Sequence, residues 1–109
     1  MELRRFRRAP ISRAVVFTPL PVQEGDVFSD GQSVDISLGG MFVTTDFPAA
    51  FGAEISIHIT LDDTAGELLL PAIVRWTRPD GMGVQFGLMG ARETFAITEI
   101  VRLFEEASR

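Results

Sequence analysis

Residues 67–88 read ELLLPAIVRWTRPDGMGVQFGL, and this stretch decides the fold. Apolar side chains crowd its first half, Pro79, Asp80 and Gly81 interrupt it, and an apolar run resumes at Met82. Asp80-Gly81 between two such runs is a strong hairpin signal, so the spacing predicts a strand over 67–77 paired with one over 82–88. Working backwards, short bursts of alternating apolar and polar residues recur at 14–18, 32–36, 40–44 and 54–61. They are separated by Pro19, Pro21, Gly25, Pro48, Gly52 and Gly66. That is the pattern of half-buried antiparallel strands. Forward of the hairpin the period changes: Phe95, Ile97, Ile100, Val101 and Phe104 fall at helical spacing among Glu93, Glu99, Arg102, Glu105 and Glu106. The sequence therefore predicts an all-β protein. Six antiparallel strands close into a small barrel over 14–90, and a C-terminal helix over 91–107 covers one open end.

With 109 residues, 46% of them hydrophobic and 23% charged, the chain fits one compact domain. It has no Cys, which excludes disulfides and thiolate metal sites, and its single His, His58, makes a metal centre improbable. No apolar run approaches the roughly 20 residues of a membrane span, and the first residues lack the apolar core of a signal peptide. The expectation is a cytoplasmic protein that does not insert into membranes. It lacks a nucleophile–base pair, a phosphate-binding loop and a metal cluster, so no enzymatic activity and no cofactor are expected.

Charge is distributed unevenly. Five of the ten Arg lie at positions 4, 5, 7, 8 and 13 against one acid, Glu2, while residues 14–109 carry five Arg against fourteen acids. An overall charge of -5 argues against general nucleic-acid binding, because a long phosphate backbone would be repelled over most of the surface. A small anion held in one basic pocket escapes that objection. There is no Lys at all, and Arg is the cation that grips phosphate bidentately, stacks on flat rings and pairs with guanine O6 and N7. The basic segment over 1–13 has little hydrophobic content to order it, so it reads as a flexible Arg-rich arm.

A second constellation, Asp35-Ile36-Ser37-Leu38-Gly39-Gly40-Met41-Phe42, leaves one strand, turns through two glycines and enters another. Alternation places the Asp35 carboxylate and the Ser37 hydroxyl together on a polar face. A carboxylate accepts from the N1–H and amine of guanine, and Gly39-Gly40 backbone can approach a flat ring closely. Phosphate and guanine are thus the chemistry that both constellations suit.

Together these motifs resemble those of the PilZ domain, the bacterial module that binds the second messenger cyclic di-GMP. Arg4 through Arg8 match the family's R-x-x-x-R, and Asp35, Ser37 and Gly40 match its [D/N]-x-S-x-x-G. The runs Val74-Arg75-Trp76 and Gly81-Met82-Gly83-Val84-Gln85-Phe86 look like its last two strands. The resemblance spans nearly the whole chain, as one domain over 1–109. It implies that Arg4 and Arg8 contact phosphates and guanine edges, with Arg5 assisting. It further implies that Asp35 reads one guanine, Ser37 adds a polar contact, and Gly39 and Gly40 let the base lie against the barrel. Leu3 stands where the family places an extra Arg in members that bind an intercalated ligand dimer, which favours one ligand per protomer. The function implied is a cyclic di-GMP receptor that changes conformation on binding and signals to a downstream protein partner. The other reading is a nucleotide-independent protein–protein adaptor in a motility or pilus system.

Other residues receive plainer expectations. His58 faces solvent on a strand, and Asp62-Asp63 form a turn. Trp76 could stack on a base, but as one Trp following Ile73-Val74 in a long apolar strand it is assigned to the core. Met41, Phe42 and Val43 fill the barrel where they face inward, and Phe47 and Phe51 plug one barrel mouth, the favoured reading, or form a small exposed apolar patch for a partner.

Overall fold

The computed structural model describes residues 7–61 and 66–107. Chain order is β1 (Ala9–Pro10), β2 (Ala14–Pro19), β3 (Ser29–Ile36), β4 (Gly40–Thr44), β5 (Glu54–Thr60), β6 (Glu67–Arg78), β7 (Gly81–Phe86) and α1 (Ala91–Ala107). The strands pair in the order β3-β2-β5-β6-β7-β4, and β4 pairs back onto β3, so six antiparallel strands close a barrel. Closure leaves no long free edge, which is how a small all-β domain avoids edge-to-edge association. The β6–β7 hairpin forms where expected, with Arg78 opposite Gly81 and Pro79-Asp80 as the turn.

Alternation supplies the core. Val15 and Phe17 of β2, Ile55, Ile57 and Ile59 of β5, and Leu68, Leu70, Ala72 and Val74 of β6 point inward, together with Met41, Val43, Met82, Val84 and Phe86. Ala96 and Ile97 of α1 join the same cluster, with Ile100 and Val101 half-buried beside them, so the helix closes one end of the barrel. The buried stripe runs along 96, 97, 100 and 101. Phe95 and Phe104, also expected on that stripe, are exposed.

β1 lies within the segment read from sequence as a flexible arm. It pairs with the second half of β3, Ala9 opposite Ile36 and Pro10 opposite Asp35, alongside the part of β3 that pairs with β2. Ala9 is fully buried. The corner between β1 and β2 is held by Ser33, whose buried hydroxyl accepts from Arg13 N (2.9 Å) and donates to Ile11 O (2.7 Å). The last residues of the arm are therefore part of the sheet, which fixes where Arg8 leaves the barrel.

Two expectations about single residues are corrected. His58 does not face open solvent: Phe28, just before β3, packs edge-on against its ring at 5.0 Å, and Nδ1 lies 3.7 Å from Glu67 Oε1. Phe47 and Phe51 do not plug the barrel but are 68% and 69% exposed; Ala49 and Ala53 of the same loop pack against the core instead. Asp62-Asp63 lies outside the described residues. Among those residues no helix is long and apolar enough to cross a membrane, and no group of three potential metal ligands is found.

Candidate functional site

Two β-bulges build the site. In β3 the register slips between Ser33 and Asp35, so Val34 is an extra residue and Asp35, not Val34, comes to oppose Phe42 of β4. In β6 it slips between Val74 and Trp76, so Arg75 is extra and Trp76 opposes Gly83 of β7. Each bulge reverses the in–out phase of the residues after it. Strict alternation from Leu68 through Val74 would have sent Trp76 into the core; the bulge turns it outward, 42% exposed. Because Phe42 also pairs with Gly83, four residues of adjacent strands form one outward row: Asp35, Phe42, Gly83, Trp76.

Gly83 makes that row flat. A Cβ there would lie 2.1 Å from Trp76 Nε1 and 2.2 Å from its Cε2, so the indole rests directly on the glycine backbone. Over this gap Trp76 and Phe42 stack, centroids 4.9 Å apart and planes 23° apart. Arg78, two residues beyond Trp76 on the same face, places its guanidinium 5.0 Å from the Phe42 centroid and 5.1 Å from that of Trp76. Arg75 Nε donates to Gln85 Oε1 at 2.7 Å. The resulting open groove, ≈ 720 Å³, is lined by Arg8, Arg75, Arg78 and Asp35 around this aromatic floor. Three guanidinium groups against one carboxylate make it a basic patch on an acidic protein.

At the near end Arg8 Nη1 donates to Asp35 Oδ1 at 2.9 Å, and Phe42 N donates to the same oxygen at 3.2 Å. Oδ2 has no partner among the described residues and remains available as an acceptor. The two motifs of the sequence thus meet through Arg8 and Asp35; Arg4 and Arg5 lie outside the described residues.

Ser37 and Gly40 also build the turn beside the groove. Ser37 is buried, and its hydroxyl accepts from Gly39 N (3.1 Å) and Gly40 N (3.3 Å) inside the tight turn between β3 and β4. A Cβ on Gly40 would stand 2.0 Å from the Val84 carbonyl oxygen, so that glycine lets β4 approach β7. The motif's Ser and second Gly therefore hold the turn that presents Asp35, and Ser37 and Gly39 both line the groove.

The site can accept from and donate to a planar, polar ring at Asp35–Arg8, stack a second ring on Trp76, and neutralise anionic oxygens with Arg75 and Arg78. Sequence reasoning missed Phe42, Trp76, Arg75, Arg78 and Gln85. A usable signal was present in Gly81-x-Gly83, since two alternate outward positions of one strand without side chains leave a trough that neighbouring rings can fill.

A family model for the PilZ domain matches residues 2–106. The chain belongs to the PilZ domain family. Solved PilZ domains share its fold. That of CeSA from a cellulose-synthesizing bacterium superposes with TM-score 0.70 at 23% identity, covering 91% of this chain and 98% of its own. The PilZ domain of YcgR from Escherichia coli, solved with c-di-GMP, gives 0.74 at 15% identity with 99% and 95% coverage. The Bacillus subtilis inhibitor of motility MotI/DgrA gives 0.73 at 19% identity, and this chain spans 54% of it. No protein of curated function matches the sequence.

Proposed function

We propose that this PilZ domain is a receptor for cyclic di-GMP and that the groove floored by Phe42 and Trp76 is its binding site. The observation that carries the reading is the Arg8–Asp35 pair at the head of that groove, where both sequence motifs meet and, among the described residues, only one oxygen of the carboxylate is bound. Guanine's N1–H and exocyclic amine are adjacent donors that suit a carboxylate, while an Arg fork suits O6 and N7 or a phosphate. Trp76 offers a face for stacking, which favours a purine over a smaller ring. The YcgR domain, of the same fold, was solved with this dinucleotide.

Binding is the activity in this reading, with no bond made or broken. Arg4 and Arg5, carried on the same arm as Arg8, add charge to the ligand as it docks. Fixing each residue of such an arm costs about 1–2 kcal/mol in backbone entropy, which several charge-assisted contacts must offset. The consequence is a conformational response: the arm is anchored to β3 at Ala9–Pro10, so a ligand that gathers its arginines reshapes the surface beside α1, where Arg7 Nε already meets Glu105 Oε2 at 2.9 Å. That altered surface is what a downstream protein partner would read. Tryptophan emission tests the site directly, because Trp76 is the chain's single Trp. Saturating quenching or shift by cyclic di-GMP, absent with cyclic di-AMP at equal concentration, supports the reading; an unchanged spectrum at millimolar ligand refutes it.

A further inference from the structure

We infer that Arg78, which belongs to neither sequence motif, is a ligand-binding residue that closes the groove opposite Asp35 and donates to the second half of a bound cyclic dinucleotide. The inference rests on the receptor reading above and extends it to a position the motifs leave unassigned.

A cyclic dinucleotide presents two bases and two phosphates, and the Asp35–Arg8 end of the groove can engage only the half that docks on β3. Asp35 and Trp76 lie three strand spacings apart, roughly 14 Å at about 4.8 Å per step. The far end of the row therefore faces a different part of the same ligand. Of the groove's cations at that end, Arg75 has its Nε committed to Gln85 Oε1 at 2.7 Å. Arg78 is less committed: its ion-pair partner among the described residues is Asp80, at 3.7 Å, with both side chains more than half exposed. An exposed, long pair of this kind contributes little and is readily exchanged for a better anion.

Arg78 is also held in place in advance. Its guanidinium rests at 5.0 and 5.1 Å from the two ring centroids, a cation–π arrangement that restricts a long side chain before ligand arrives. Less rotamer freedom is then left to lose on binding. Gly81, opposite Arg78, keeps the corner clear, since a Cβ there would sit 2.8 Å from Phe42 Cζ. A base stacked on Trp76 would bring its edge or its phosphate alongside this fork, which a Lys could match in charge but not in geometry.

The test is calorimetric titration of cyclic di-GMP into the full chain as wild type, Arg8→Ala, Arg78→Ala and Arg78→Lys, with the unliganded Trp76 emission of each recorded. The expected result is at least a tenfold weaker affinity for Arg78→Ala, and an intermediate loss for Arg78→Lys, whose ammonium keeps a cation beside the Trp76 ring and leaves its emission maximum unchanged. Wild-type affinity in both Arg78 variants, alongside loss in Arg8→Ala, overturns this inference alone. Failure of the wild type to bind overturns it together with the receptor reading.

Discussion

Gly83→Ala separates the site from the fold that carries it. The added methyl would lie 2.1, 2.2 and 2.6 Å from three atoms of the Trp76 ring. Ordinary contact needs about 3.5 Å, so the indole must lift by roughly 1.4 Å or swing away. It can do so, because Trp76 sits on the barrel's outer face and is 42% exposed. What is lost is the stack with Phe42, about 0.5–1.5 kcal/mol, and part of the Arg78 contact, about 0.5–1 kcal/mol at an exposed site. Ala in place of Gly restricts the unfolded chain and returns about 0.4–1 kcal/mol. The net destabilisation is thus about 0–2 kcal/mol, or up to roughly 8 °C in Tm for a chain of this size. Binding is affected more. A base that can no longer stack forfeits about 1–3 kcal/mol, a weakening of roughly fivefold to 150-fold. Thermal unfolding, Trp emission and a cyclic di-GMP titration on the same sample measure all three. Wild-type affinity with a wild-type emission spectrum would refute the reasoning, since it would mean that the ring neither rests on Gly83 nor meets the ligand.

Gly40→Ala, by contrast, meets backbone that cannot swing aside: Val84 O would lie 2.0 Å from the new carbon, and β4 would have to part from β7. We expect a loss of about 3 kcal/mol or more, seen as a fall in denaturation midpoint with cyclic di-GMP unable to restore it fully. Ser33→Ala removes the hydroxyl that joins Arg13 N to Ile11 O and leaves both groups short of a partner, costing about 1–3 kcal/mol. Because that corner sets the path of the arm, amide exchange over 9–13 should rise before the rest of the barrel responds. Asp35→Asn keeps the shape of the side chain but turns one acceptor into a donor facing Arg8 or Phe42 N, so cyclic di-GMP affinity should fall at least tenfold while Tm changes by only a few degrees.

The barrel was legible because period-two patterning and turn residues speak for each strand separately. The Asp80-Gly81 signal found the β6–β7 hairpin, although Pro79-Asp80 form the turn itself and Gly81 begins the strand. Helix α1 spans the residues where the apolar period changed. Motif spacing found Arg8 and Asp35, which the fold joins across 27 positions of sequence.

What escaped the sequence depends on how strands meet. A bulge adds one residue to one side of a ladder, and nothing in Val34 or Arg75 themselves announces it; only the pairing with β4 and β7 does. Without the bulge, the long apolar run of β6 favours the core for Trp76, and the aromatic floor it forms with Phe42 stays hidden. The same blindness to partners hides a second task of Ser37: it lines the groove, and its hydroxyl also accepts from the turn amides of Gly39 and Gly40, a local bond that alternation alone does not register. For Phe47 and Phe51, the smaller Ala49 and Ala53 fit against the barrel end and leave the rings outside.

The most direct test of the central claim is isothermal titration of cyclic di-GMP into the purified protein at physiological salt, with Arg8→Ala and Asp35→Ala alongside. The account predicts saturable binding, one ligand per chain, weakened at least tenfold in either variant, equivalent to about 1.4 kcal/mol or more. Binding unchanged in both variants would contradict the site, and no binding to the wild type would contradict the receptor assignment itself.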